Sequence, residues 1–176
     1  MLNELYILTL LRESNYENVL KMEGIYEGQN YVYLITELIE GGELITYVNE
    51  NLINGTLTDN LQIQIINSVA KAIQPLSELN ILHRDLKLSN VMLRKPNDPT
   101  DIVAVDYGLS LALNFQTLTK IMYKIPAIGT PGYIAPELFT ARVNEINCIS
   151  DVFSLGCMTY TIKTSNSIFR TTEIKS

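Results

Sequence analysis

Residues 81–93 read ILHRDLKLSNVML, with His83, Arg84, Asp85, Lys87, Ser89 and Asn90 set between two apolar ends. A strand would alternate and a core helix would carry a 3.6-residue stripe, whereas here the polar residues gather in the middle. That is the layout of a functional loop held between buried supports. On its N-terminal side, Thr58 is a plausible cap for DNLQIQIINSVAKAIQPLSEL, which places Ile63, Ile66, Val69, Ala70 and Ile73 on one face of an amphipathic helix. Pro75 predicts a kink or an early end, because an internal proline removes a backbone donor and costs roughly 3 kcal/mol. Asn80 can take the left-handed conformation that stops a helix.

Further out, VMLR and DIVAVDY flank the turn-forming KPNDPT and predict a hairpin. Residues 109–136 read as an extended loop with prolines and glycines, and SDVFSLGCMTYTI, apolar on nearly every side, as a helix buried within a larger body. Towards the N-terminus, NELYILTLLR predicts a helix capped by Asn3. NVLKMEGIYE and YVYLITELI predict another hairpin across residues 19–39 around GQN, ended by Gly41-Gly42.

The bulk composition sets outer bounds. The 176 residues are 47% hydrophobic and 18% charged, which is typical of a soluble globular domain. Thirteen basic residues against 19 acidic give a net charge of −6, so nucleic acid and anionic membranes are not expected as main partners. No apolar run is long enough to span a bilayer, and the N-terminus lacks the basic start and cleavage site of a signal peptide. Cys148 and Cys157 have no metal spacing and are expected as buried, reduced thiols, which points to a cytoplasmic location.

The run His83-Arg84-Asp85-Leu86-Lys87-Leu88-Ser89-Asn90 resembles the catalytic loop of the protein kinases, H-R-D-L-K-x-x-N. Six fixed identities arise by chance at roughly 10⁻⁸ per position when each type is taken at about 5% usage. Asp106-Tyr107-Gly108 resembles the D-F-G element with Tyr for Phe, Ala135-Pro136-Glu137 matches A-P-E, and GTPGYIAPE and SDVFSLG extend the likeness in the family's order. Lys87 and GTPGY look like the serine/threonine branch. The resemblance implies an α+β, protein kinase-like fold: residues 1–39 as a truncated N-terminal lobe and hinge, and 40–176 as a mostly helical C-terminal lobe through its central buried helix. It implies ATP and Mg²⁺ as cofactors and a protein bearing Ser or Thr as substrate.

Phosphoryl transfer needs a hydroxyl held in line with a terminal phosphate, and cations to absorb charge on the phosphoryl oxygens. By matched position, Asp85 would orient the hydroxyl and take its proton, Lys87 would reach the transferring phosphate, and Asn90 and Asp106 would offer hard oxygen ligands to Mg²⁺. The resemblance also assigns Glu37 and Ile39 to the hinge that bonds adenine, Thr36 to the back of that pocket, Met92 to its floor and Glu43 to a ribose or substrate contact. Glu4 matches the helix glutamate that pairs with an ATP-binding lysine. Leu8, Met22, His83 and Tyr107 would stack down to Asp151.

Plainer readings stand beside these. Asp85 alone would be an ordinary turn residue, the single histidine a packed side chain, and Glu37 and Glu43 surface charges. Arg84 would bind a phosphorylated loop or form a simple ion pair. Pro126 stands where the family carries its activation-loop phosphosite, leaving Thr117, Thr119 and Tyr123 as alternatives. The sequence contains no G-x-G-x-x-G and no lysine before Glu4, and it stops before the helices that would give Glu137 an arginine. The expectation is therefore an incomplete serine/threonine kinase, with a noncatalytic pseudokinase serving as a binding module as the alternative.

Overall fold

The computed structural model describes residues 2–113, 128–139 and 146–169. It opens with α1 (Leu2–Glu13), followed by the antiparallel pair β1 (Met22–Glu27) and β2 (Val32–Thr36). This is the predicted N-terminal hairpin. Asn3, however, does not cap α1. It lies inside the helix and sends its side-chain amide to the Ser110 carbonyl.

Two helices come next, α2 (Leu44–Ile53) and α3 (Asp59–Glu78). Thr58 caps α3 as expected, its hydroxyl accepting the Leu61 N–H at 3.3 Å. The buried stripe of α3 is Ile65, Ser68, Val69, Ala72, Ile73, Pro75 and Leu76, which shares Val69 and Ile73 with the face read from the sequence but is rotated from it. Of the residues on that face, Ile63 is 50% exposed. Helix α3 also runs through Pro75 to Glu78. The proline leaves the Lys71 carbonyl, four residues back, without its helical donor. The Asn18 amide donates to that carbonyl, so the cost of the proline is met from another element. Asn80 then turns the chain at φ 56.

The polar loop of residues 83–90 lies between β3 (Ile81–Leu82) and β4 (Val91–Leu93). Strand β4 pairs antiparallel with β5 (Ile102–Ala104), confirming the second hairpin, while β3 pairs with β6 (Leu111–Ala112) inside what the sequence suggested was plain loop. The last described helix, α4 (Ile149–Thr164), buries Ser150, Asp151, Ser154, Cys157, Met158 and Ile162. Its opposite face is open, with Val152 55% and Tyr160 40% exposed. The described residues thus combine helices with three two-stranded sheets, an α+β arrangement.

One buried cluster joins α1, the first hairpin, α2, α3, β4, β5 and α4 through residues such as Leu8, Met22, Leu44, Val69, Leu93 and Met158. Both cysteines are free thiols, Cys157 buried but Cys148 only partly so. Among the described residues no helix is long and apolar enough to cross a membrane. Thr117, Thr119, Tyr123 and Pro126 lie outside the described residues.

The segment after β2 passes close to the end of β4. Gly41 donates to the Leu93 carbonyl at 3.0 Å, and a Cβ at position 41 would lie 2.5 Å from that oxygen and 2.4 Å from the Lys95 carbonyl. Backbone oxygens cannot swing aside as side chains do. Gly41→Ala is expected to destabilise the fold by about 1–3 kcal/mol. Urea titration would show this as a lower midpoint at unchanged slope.

Candidate active site

The loop after β3 owes its shape to one buried carboxylate. Asp151, in the first turn of α4, accepts the His83 N–H at 2.7 Å through one oxygen and the Arg84 N–H at 3.2 Å through the other. Arg84 sits at φ 68, a conformation that a non-glycine residue adopts only when its surroundings hold it there. Its side chain adds a bond from Nε to the Leu109 carbonyl at 2.6 Å. From the far side, Gly129 (φ +134) packs so closely that a Cβ there would lie 2.4 Å from the Arg84 carbonyl oxygen. The GTPGY segment is thereby seated on the loop.

His83 is fully buried, and burial holds its imidazole below the usual range. Nε2 lies 3.0 Å from the Val105 carbonyl, which can only accept, so the proton is on Nε2 and Nδ1 accepts the Asp85 N–H at 3.4 Å. Both nitrogens are used. The ring also packs against Tyr107, centroids 5.2 Å apart, and Tyr107 shares the core cluster with Leu8 and Met22. The lower part of the expected stack, from Tyr107 through His83 to Asp151, is joined by direct contacts, and both ring nitrogens of His83 are taken up within the fold.

Asp85, Lys87 and Asn90 are drawn together by direct bonds. The Asn90 amide donates to both the Asp85 carbonyl and Asp85 Oδ2, each at 2.9 Å, and Lys87 Nζ lies 3.2 Å from the same Oδ2. Thr130, which the sequence reading left without a role, completes the group. Its hydroxyl donates to Asp85 Oδ1 at 2.7 Å and accepts from Lys87 Nζ at 2.9 Å. A carboxylate offers about four acceptor directions, and these three partners leave about one open. Thr130 sits in an irregular loop and shows no periodicity. Only its place in GTPGY marked it.

Asn90 spends its NH₂ on Asp85, so its amide oxygen remains available to a cation. Its backbone carbonyl accepts the Val105 N–H at 2.9 Å, which brings the next residue, Asp106, alongside. Asp106 stands at φ 65 and caps the single 3₁₀ turn of residues 107–109 by accepting the Gly108 N–H at 3.3 Å. Its carboxylate is otherwise exposed to solvent. One amide oxygen and one carboxylate are hard donors, and a Mg²⁺ ion held by so few protein oxygens takes its remaining ligands from phosphate and water.

The candidate base-binding residues lie along the other end of β4. Met92 is bridged to Glu43, whose side chain is exposed at the start of α2. The backbone of residues 40–42 bonds to Leu93 and Arg94. Among the described residues the Glu37 carbonyl and the Ile39 N–H make no hydrogen bond, which leaves an acceptor and a donor open. The Glu37 side chain is no free surface charge: Arg94 grips it at 2.9 Å. Glu4 has no ion partner among the described residues. Glu137, expected to lack its partner, accepts the Ser150 hydroxyl at 2.7 Å and is solvent-exposed.

The protein kinase domain family matches this chain over residues 1–176. The chain belongs to the protein kinase family. Among similar proteins, the probable serine/threonine-protein kinase 2 of Plasmodium falciparum is 32% identical over 168 residues, covering 96% of this chain and 31% of that protein. Human calcium/calmodulin-dependent protein kinase type 1B is 32% identical over 153 residues, covering 87% of this chain and 41% of that protein. The calcium/calmodulin-dependent protein kinase type 1 of Macrobrachium nipponense is 31% identical with the same coverage. This chain therefore spans between 31% and 41% of the length of these relatives.

Burial pushes the Asp151 carboxyl from its ordinary 3.8 up to about 6, against the His83 and Arg84 N–H groups that pull it down. The folded chain then binds this proton more tightly than the unfolded one, so the group's stabilising contribution is full below about pH 4 and lost as pH rises through about 6. Asp151→Asn turns an NH₂ towards one buried N–H and should cost on the order of 1–3 kcal/mol. In thermal denaturation across that window, the wild type's advantage over the variant should be largest at the acid end. An advantage that grew with pH would contradict the assignment.

Proposed function

We propose that this chain carries the catalytic-loop and hinge portion of a serine/threonine protein kinase, which transfers the terminal phosphate of ATP to a protein hydroxyl. On this reading residues 1–39 belong to the small lobe and hinge, and residues 40–176 to the large lobe. The bonded group of Asp85, Lys87, Asn90 and Thr130 carries the proposal. It joins a carboxylate, a cation and an amide by direct bonds, the kinds of group that phosphoryl transfer to a hydroxyl requires.

In this reading Asp85 orients the substrate hydroxyl through its remaining acceptor direction. As the hydroxyl oxygen bonds to phosphorus and the bond to the leaving diphosphate breaks, the hydroxyl proton passes to Asp85. Lys87 supplies positive charge beside the phosphoryl oxygens, and Thr130 keeps Asp85 and Lys87 in register. Asn90 and Asp106 would hold Mg²⁺, which supplies charge neutralisation on the phosphates when bound. The free backbone groups of Glu37 and Ile39 would bond adenine, with Met92 and Glu43 nearby. The names of the similar proteins support the serine/threonine branch.

The test is transfer of radiolabelled phosphate from Mg·ATP to a Ser/Thr peptide, comparing the protein with Asp85→Ala. The variant should lose about 10²–10⁴-fold in rate, the usual worth of a positioned acid–base group. Asp106→Asn should raise the Mg²⁺ concentration needed for half-maximal rate. Equal incorporation by wild type and Asp85→Ala would remove Asp85 from its role. Nucleotide binding without transfer in the wild type would favour a noncatalytic binding module instead.

A further inference from the structure

The Arg94 side chain, at the end of β4, is 14% exposed and makes a set of bonds that the catalytic reading does not use. Its Nε donates to Glu37 Oε2 at 2.9 Å and its Nη2 to Glu37 Oε1 at 3.1 Å, a forked grip on one carboxylate. Nη2 also reaches the Val19 carbonyl at 2.7 Å, and Nη1 reaches Asp101 Oδ1 at 2.8 Å. The Arg94 carbonyl accepts the Glu40 N–H at 3.2 Å. Glu37 is further fixed because its Oε1 accepts the Lys21 N–H at 2.9 Å.

Arg94 therefore holds residues 37 and 40, on either side of Leu38 and Ile39. Leu38 is 82% exposed, so within this segment Ile39 alone packs on the core, and the polar anchors at residues 37 and 40 fix the rest of its course. The two backbone groups left open, the Glu37 carbonyl and the Ile39 N–H, lie within the anchored span. We propose that Arg94 is a positioning residue for the nucleotide base, setting the hinge through its forked bond to Glu37. The inference rests on the kinase reading above. A guanidinium fork meets both oxygens of a carboxylate in one plane, whereas a lysine ammonium is a single point of charge. Arg94→Lys should therefore restore only part of the function.

The experiment measures KM for ATP, kcat, and inhibition by adenosine and by tripolyphosphate for wild type, Arg94→Met, Arg94→Lys, Glu37→Gln and Asp101→Ala. Arg94→Met should raise KM for ATP and weaken adenosine about tenfold, with kcat within about twofold and tripolyphosphate inhibition unchanged. Glu37→Gln should weaken adenosine in the same direction, and Arg94→Lys should fall between Arg94→Met and wild type. Asp101→Ala removes an Arg94 contact that does not involve residues 37–40 and should lower the thermal midpoint without moving KM. Weakening of adenosine and tripolyphosphate alike in Arg94→Met, or an equal KM effect from Asp101→Ala, would reduce Arg94 to a stability residue and overturn the inference alone. A wild type that binds neither adenosine nor ATP would overturn the kinase reading, and the role of Arg94 with it, before any variant is compared.

Discussion

The geometry of the site depends on the Asp151 carboxylate. It lies almost fully buried at the start of α4 and receives two consecutive N–H groups from a loop whose second residue, Arg84, sits at φ 68. Such a residue costs of order 1–3 kcal/mol, and two hydrogen bonds to a carboxylate can offset a strain of that size. Without those bonds nothing in the local sequence would hold the chain in this conformation, and Asp85, the next residue, would not be aimed at Asn90 and Thr130. The carboxylate is itself held at a cost, since desolvation makes it a weaker acid. The fold accepts a buried charge at Asp151 so that the Asp85 side chain is placed with its acceptor direction open.

The elements with short-range rules were legible in the sequence. Both hairpins, the Thr58 cap, the left-handed Asn80 and the helix around Asp151 followed from turn chemistry and patterning. What was misread depended on distant partners. Pro75 should have ended α3, but Asn18, far away in sequence, supplies the donor that the proline lacks. Asn3 looked like a cap because caps are the usual work of asparagine at a helix start, yet its partner is Ser110. The stripe of α3 was legible only in part: Val69 and Ile73 are buried as read, but Ile63 fits a helical period as well as Ile65 does, and only the neighbouring elements decide which one is covered.

The candidate site divides in the same way. Asp85, Lys87, Asn90 and Asp106 announce themselves as a contiguous motif and its sequel, and the structure joins the first three directly and brings the fourth alongside. Thr130 and Arg94 do not. Each lies in a segment with another evident purpose, Thr130 in a glycine-bearing loop and Arg94 at the end of a strand. Each gains its meaning from a bond to a residue more than 40 positions away, Thr130 to Asp85 and Arg94 to Glu37. Residues that position others are less legible than residues that react, because their chemistry is generic and their partner is fixed only by the fold.

Strand β4 connects these two kinds of residue. Asn90 precedes it and Arg94 follows it, four residues apart, and at about 3.3 Å per residue the two stand roughly 13 Å from each other. The strand is buried at Val91 and Leu93 and paired with β5, so that separation is rigid. On the proposed reading, a ligand with a planar ring at one end and an anionic chain at the other would meet open backbone groups beside Glu37 and hard oxygens beside Asn90. Loosening either end would leave the other intact yet uncouple the two. The spacing built into β4 therefore matters as much to the proposed reaction as the reacting groups themselves.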